Sequence, residues 1–198
     1  MSNKNDYNEQ YYKTLNYVDY LNKLDKYKHT AKEIVILLEQ LCLLDKNNSQ
    51  ILDYGCAVGF LMEGLKEAGC KFVDGYDISE WACEYARESG HNIVNSIVKN
   101  KYDILFALDV FEHMDDNEIY EAILDINPKT IIARIPSSMD EGKTFYLPVS
   151  QRDITHVNCK SKQTWISFFK QMNYFAIKIN LCSIYDTDGV TCLLLTKQ

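Results

Sequence analysis

Proline is scarce in this chain of 198 residues, at three. No stretch is low in complexity or repeats at the periods of solenoid proteins, so array and fibrous architectures are excluded. None of the seven cysteines forms a Cys-x-x-Cys pair. That removes the common zinc and redox motifs. The odd number, with several cysteines in apolar runs, speaks against a disulfide framework and for a reducing compartment. No apolar run approaches the roughly 20 residues of a membrane span. Residues 1–12 are polar and lack the apolar core of a secretion signal, so the expected location is cytoplasmic. Basic residues are outnumbered, 21 against 28 acidic, for a net charge of -7. They are also scattered, and such a surface repels phosphate backbones. A nucleic-acid partner is therefore not expected, although the acidity equally serves plain solubility.

What is present is an ordinary globular composition, 46% hydrophobic and 25% charged, of a length suited to one domain with a sizeable core. Residues 1–29 are tyrosine-rich, and Leu15, Val18, Leu21 and Leu24 recur at helical spacing. They read as an N-terminal helical lid beside a main domain at 30–198. Thr30-Ala-Lys-Glu33 has the form of a capping box and predicts a helix starting there. Strand patterns follow at 50–54, 72–77, 93–98, 103–108 and 130–135. Between them lie helical patterns at 60–68, from Ser79 to about 90, and from Asp115 or Asp116 to 124. Residues 137–160 lack periodicity, and a loop that long is usually functional. Ser161 caps a further helix bearing Trp165, and a hairpin at 174–185 and 190–196 closes the chain. Strands alternating with helices predict an α/β fold, a doubly wound, mostly parallel sheet with an antiparallel hairpin at its end.

The chemistry concentrates at Asp53-Tyr-Gly55-Cys-Ala-Val-Gly59, where a strand gives way to a helix. Glycines there admit a ligand close to the backbone, and the helix start offers unpaired N–H groups. The dinucleotide spacing Gly-x-Gly-x-x-Gly is broken by Ala57, which turns the reading away from a nicotinamide oxidoreductase. Asp77, ending the next strand, is placed to accept hydrogen bonds from two ribose hydroxyls.

Residues 51–60 resemble the first motif of the class I, Rossmann-like, seven-stranded S-adenosylmethionine-dependent methyltransferases. Residues 73–79 resemble their second. Tyr102-Asp-Ile-Leu-Phe-Ala-Leu-Asp-Val-Phe-Glu-His-Met114 resembles their strand-four region in the version common among small-molecule enzymes. The resemblance covers about 30–198 and implies the fold, the cofactor and several roles. Asp53 would reach the cofactor's amino group, directly or through water. The backbone at Gly55, Cys56, Ala57 and Gly59 would line its methionine and ribose parts. Asp77 would hold the ribose, and Ile78 would pack on the adenine. Asn95 or Ser96 would lie at the adenine edge. Ala107 and Leu108 would face the methionine portion through their backbone.

Transfer from a sulfonium mainly requires an oriented acceptor, and a hydroxyl acceptor benefits from a base. His113, after the fourth strand, and His156, in the long loop, are the candidates. Packing near the cofactor and local loop bonding are their plain alternatives. Tyr11 and Tyr12 are candidate lid residues, and Trp165 a candidate substrate contact. Residues 135–158 with the Trp165 helix also resemble methyltransferases that act on sugars or glycans. The acids around Glu112, namely Asp109, Asp115 and Asp116, are read as helix-start caps, so no metal is expected. The function read from the sequence is methyl transfer to a small-molecule oxygen, of sugar or glycan type. The alternatives are N-methylation of a small metabolite or protein side chain, and a non-catalytic cofactor-binding subunit. The sequence carries no mark of oligomeric state.

Overall fold

In the computed structural model, residues 7–13 and 19–198 are described. Leu15 and Val18 of the expected first helix lie outside them. Helix α1 (Glu9–Lys13) and a single 3-10 turn at Tyr20–Asn22 precede the long helix α2 (Leu24–Gln40). Then β1 (Gln50–Tyr54), α3 (Phe60–Glu67), β2 (Phe72–Tyr76), α4 (Glu80–Glu88), β3 (Asn92–Ile93) and β4 (Ile104–Leu108) alternate. After a 3-10 turn at Phe111–His113 come α5 (Asp116–Ile126) and β5 (Thr130–Pro136). The chain ends with β6 (Ser138–Asp140), β7 (Thr144–Phe145), α6 (Pro148–Arg152), α7 (Lys162–Gln171), β8 (Tyr174–Lys178) and β9 (Val190–Lys197).

The main sheet has seven strands in the order β3-β2-β1-β4-β5-β9-β8. The first five are parallel, and β9 and β8 are antiparallel to their neighbours. The order reverses between β1 and β4, so the loops leaving their C-terminal ends diverge and open a crevice there.

Strand alternation sorts the core into two layers. Ile51, Ile104, Phe106, Ile132 and Leu194 face α2, α3 and α4. Leu52, Leu105, Ile131, Leu193 and Leu195 face α5 and α7, where Trp165 and Phe169 are fully buried. No helix is long and apolar enough to cross a membrane, among the described residues.

Three local expectations are corrected by packing. Thr30 starts no helix: α2 runs through it, and its hydroxyl folds back onto the Lys26 carbonyl at 3.0 Å. The apolar face of Ala31, Ile34, Val35 and Leu38 packs into the core, and this burial outweighs a local cap preference. The boundary at 29/30 therefore falls inside one helix. The strand expected at 93–98 shrinks to two residues, pairing Asp74 with Asn92 and Gly75 with Ile93. The stretch 137–160 contains the small β6–β7 hairpin and α6, which opens on Pro148, where a missing N–H costs nothing.

Candidate active site

The crevice above β1, β2 and β4 holds a cavity of about 630 Å³. Its floor is Gly55, Ala57, Asp77, Ile78 and Leu108, and its roof is the N-terminal segment with Tyr7, Tyr11, Tyr12 and Tyr20. The roof is anchored by aromatic contacts. Tyr12 stacks on Trp81 with centroids 5.3 Å apart, and Tyr20 stacks on Phe60 at 5.6 Å. Ser79, which caps α4, donates its hydroxyl to the Tyr7 carbonyl at 2.5 Å.

The β1 turn is built for close approach. Gly55 has φ +78, and a Cβ there would come within 2.5 Å of Val110 Cγ2. Ala57, at the position of the missing central glycine, adopts φ +48. Its N–H donates to Asp77 Oδ2 at 2.8 Å, and Ser79 N–H donates to Asp77 Oδ1 at 2.8 Å. These two bonds aim the carboxyl along the cavity floor, and each oxygen keeps a lone pair for a ligand. A left-handed alanine costs roughly 1 kcal/mol. Ala57→Gly is therefore expected to raise the free energy of unfolding by about that amount, measured by urea denaturation. A variant no more stable than the parent would contradict a strained turn.

Asp53 lies behind this floor, 3% exposed, with Oδ2 lacking any hydrogen-bond partner. Burial, reinforced by the Asp77 charge, pushes its pKa up to about 8. The unfolded carboxyl ionises near pH 4, whereas the folded one holds its proton to about 8. Stability is thus fully present below pH 4 and falls as pH rises through that window, by up to about 1.4 kcal/mol per unit. Asp53→Asn has no such proton to lose. Its stability advantage over the parent is expected to grow between pH 5 and pH 8 in denaturation curves. Equal pH slopes for the two proteins would refute this account.

At the other end of the cavity, the 3-10 turn after β4 meets the long loop. Val157 and Asn158 both donate backbone N–H groups to the Glu112 carbonyl, at 2.8 and 2.9 Å. The docking brings His113 and His156 to a centroid separation of 4.6 Å, edge to face. His113 lines the cavity, and His156 stands behind it. Burial, and then the neighbouring His156 charge, lowers the His113 pKa to about 4. Burial likewise lowers that of His156. Tyr11 donates from its hydroxyl to Asp153 at 3.4 Å, so the roof touches the same loop. Asp109, with φ +58, lines the cavity and accepts both N–H groups of Arg134, one at 2.9 Å.

Of the residues expected from sequence, the cavity wall thus collects Gly55, Ala57, Asp77, Ile78, Leu108, His113, Tyr11 and Tyr12. Asn95 lines an adjoining hollow of about 580 Å³ that shares Tyr76, Asp77 and Ile78. Ser96 is exposed and lines neither. Cys56 and Ala107 are buried off the wall, and Gly59 caps α3 with φ +85. Trp165 is not at the cavity: it is 0% exposed, stacked on Phe169 in the core under α7. Sequence reasoning missed Tyr7, Tyr20, Tyr54, Asp109 and Glu118 on the wall. The aromatic richness of the first 29 residues was the available signal for the roof.

The donor set fits the expected cofactor. A carboxyl held by two backbone N–H groups at the end of β2 suits two ribose hydroxyls. The left-handed turn at Gly55 leaves backbone without a side chain on the cavity wall, where a ligand can approach closely. The tyrosine-rich roof suits a cation, because aromatic faces attract positive charge.

A profile of the family described as a methyltransferase domain matches residues 27–174. A comparison with curated proteins finds no matching relative. Among solved structures, the fold is similar to magnesium protoporphyrin IX methyltransferase from Synechocystis with bound S-adenosylmethionine. That pair shares 17% identity at a TM-score of 0.60, covering 87% of this chain and 80% of that one. The methyltransferase domain of a bacterial Hen1 protein matches at 20% identity and TM-score 0.62, over 88% and 98% of the two chains. A methyltransferase from Archaeoglobus fulgidus matches at 17% identity and TM-score 0.60, over 84% and 94%. At such identities the likeness is one of fold.

Proposed function

Since this chain belongs to the methyltransferase-domain family and is an S-adenosylmethionine-dependent enzyme, we propose that it methylates an oxygen of a small-molecule acceptor of sugar or glycan type. The observation that carries the reading is the roofed cavity of about 630 Å³, within the size range of small-ligand sites. Its far end gathers His113, Asp109 and Glu118, and Tyr11 bonds there to Asp153. Acceptors rich in hydroxyl groups match such donors and acceptors. The carboxylates, with the overall charge of -7, oppose a polyphosphate.

When bound, the cofactor supplies a methyl group on a positively charged sulfur. Asp77 would hold the ribose hydroxyls, and Gly55 would let the backbone close on the ligand. Ile78, shared by the two hollows, would cover the adenine, with Asn95 at its edge. Asp53, behind the floor, would support the amino-acid end. The roof tyrosines would exclude water, and their rings would favour a cation in the cavity. His113 is the histidine we place at the acceptor end of the cavity wall, with His156 packed behind it. Orientation of the acceptor is the main catalytic contribution, since bringing reactants into line lowers a barrier by several kcal/mol.

The test is transfer of a labelled methyl group to a panel of sugars, glycosides, small amines and peptides, with products identified by mass spectrometry. Methyl ethers of hydroxylated acceptors are the expected products. Label found solely on amines or peptides would overturn the assignment of an oxygen acceptor.

A further inference from the structure

We propose that Glu112, His113 and His156 form a binding site for one divalent transition-metal ion at the acceptor end of the cavity. The ion's presence is independent of the acceptor's identity. Its role, holding and polarising an acceptor hydroxyl, rests on the reading of an oxygen acceptor.

The three side chains each offer one ligand atom, and these atoms lie within 4.8 Å of one another. Glu112 Oε1 is 3.9 Å from His113 Nε2 and 4.0 Å from His156 Nε2. Those spacings are too long for hydrogen bonds. A slight closing of the side chains brings them to the ~3 Å edges of a coordination sphere whose bonds are about 2.0–2.2 Å long.

Glu112 is the decisive residue. It is 0% exposed, and neither of its carboxyl oxygens has a hydrogen-bond partner. A buried carboxyl without a hydrogen-bond partner is costly, and coordination to a metal satisfies it. Helix capping, which the sequence suggested for the acids of this segment, does not account for it. Asp115 and Glu118 form the capping box of α5, Asp116 accepts from Asn158 and Lys160, and Asp109 pairs with Arg134. Glu112 alone among these acids is aimed inward at two imidazoles.

The surroundings of His113 set its tautomer. The Thr155 hydroxyl donates to Asp153 Oδ1 at 2.5 Å, so its oxygen accepts from His113 Nδ1–H at 2.9 Å. The Thr155 carbonyl and the Tyr7 hydroxyl each lie 3.2 Å from the same nitrogen, and the carbonyl can only accept. The Nε2 lone pair therefore faces Glu112, the arrangement in which an imidazole binds a metal while its other nitrogen donates to an outer partner. Asp153 Oδ2, 3.7 Å from His156 Nε2, adds negative charge beside the site. Two imidazoles and one carboxylate favour Zn²⁺, Co²⁺ or Fe²⁺ over Mg²⁺ or Ca²⁺, which prefer all-oxygen sets.

The site is held from two sides, by the turn after β4 and by the loop around His156, clamped through the Glu112 carbonyl. His113 lines the cavity, whereas Glu112 and His156 do not, so the ion lies one side chain from the cavity wall. There an ion polarises and orients a hydroxyl.

The experiment uses the full chain, stripped with a chelator and titrated with Co²⁺, read by visible absorption and by calorimetry. One ion per chain is expected, with a spectrum of nitrogen and oxygen ligands. Glu112→Gln and His156→Gln are each expected to weaken binding tenfold or more, whereas Glu67→Gln, on the surface, leaves it unchanged. Thermal melts confirm that the variants fold. Thiolate charge-transfer bands, a stoichiometry far below one, or affinity unaffected by both substitutions in folded protein would overturn the site. Product analysis before and after chelation addresses the role separately. Oxygen methylation that falls on chelation and returns with the ion supports the role, and oxygen methylation insensitive to chelation removes it. Transfer to amines alone removes the oxygen-acceptor reading while leaving the ion site standing on its titration.

Discussion

Asp77→Ala is expected to lower affinity for S-adenosylhomocysteine, the demethylated cofactor, by about 100-fold or more in calorimetry. The carboxyl is oriented by the N–H groups of Ala57 and Ser79, both at 2.8 Å. Hydrogen bonds from ribose hydroxyls to a charged oxygen contribute roughly 1.5–3 kcal/mol each, and two of them amount to a factor of 100 or more. Burial raises the pKa of Asp77 while the backbone donors oppose that rise. A bound ribose adds donors and favours the ionised form further. Asp77→Asn retains one acceptor and the shape, and should lie between the parent and the alanine variant. Parent-like affinity in Asp77→Ala would remove Asp77 from the cofactor site.

The largest stability effect is expected at Arg134. It stands on β5 opposite Leu108 of β4, and its guanidinium grips Asp109 with two parallel N–H donors. Asp109 is in the left-handed region, at φ +58, where a non-glycine residue persists only if its surroundings hold it. The Asp109 N–H also donates to the Arg134 carbonyl at 2.8 Å. Arg134→Leu leaves an unpaired carboxylate on the cavity wall and should cost about 3 kcal/mol of unfolding free energy, the low end for a buried pair, because Asp109 retains some water contact. The double variant Arg134→Leu/Asp109→Asn should regain part of that loss. A loss below about 1 kcal/mol in urea denaturation would show that the pair does not hold the post-β4 turn.

The cavity floor was legible because its determinants are local. The turn after β1 needs residues that tolerate positive φ, and Gly55 and Gly59 announce it. Asp77 follows the next buried strand, and Ser79 two residues later caps the helix it was expected to cap, accepting from Ala82 N–H at 3.2 Å. Element order followed from alternating hydrophobic periods, but the first strand of the closing pair, expected over 174–185, ends at Lys178, so a longer connection than the Asp186–Gly189 turn joins it to β9. Errors arose where a local signal competed with packing. The Thr30 box was overridden by the buried face of α2. Trp165, aromatic and near the long loop, is packed in the core against Phe169 and not on the cavity wall.

The far end of the cavity depends on contacts between distant residues, about which the sequence is silent. His113 and His156 are separated by α5, β5, the β6–β7 hairpin and α6. They meet because backbone donors after α6 find the Glu112 carbonyl. The tyrosines of the roof likewise owe their place to stacking on Trp81 and Phe60. The β1 loop, by its own glycines and the acid that follows, was enough to determine a nucleoside-type ligand at a strand end. Only the tertiary structure decided which histidine faces the cavity and that Glu112 is buried between the two. Turn conformation is a property of consecutive residues, whereas burial and the meeting of side chains are properties of the packed whole.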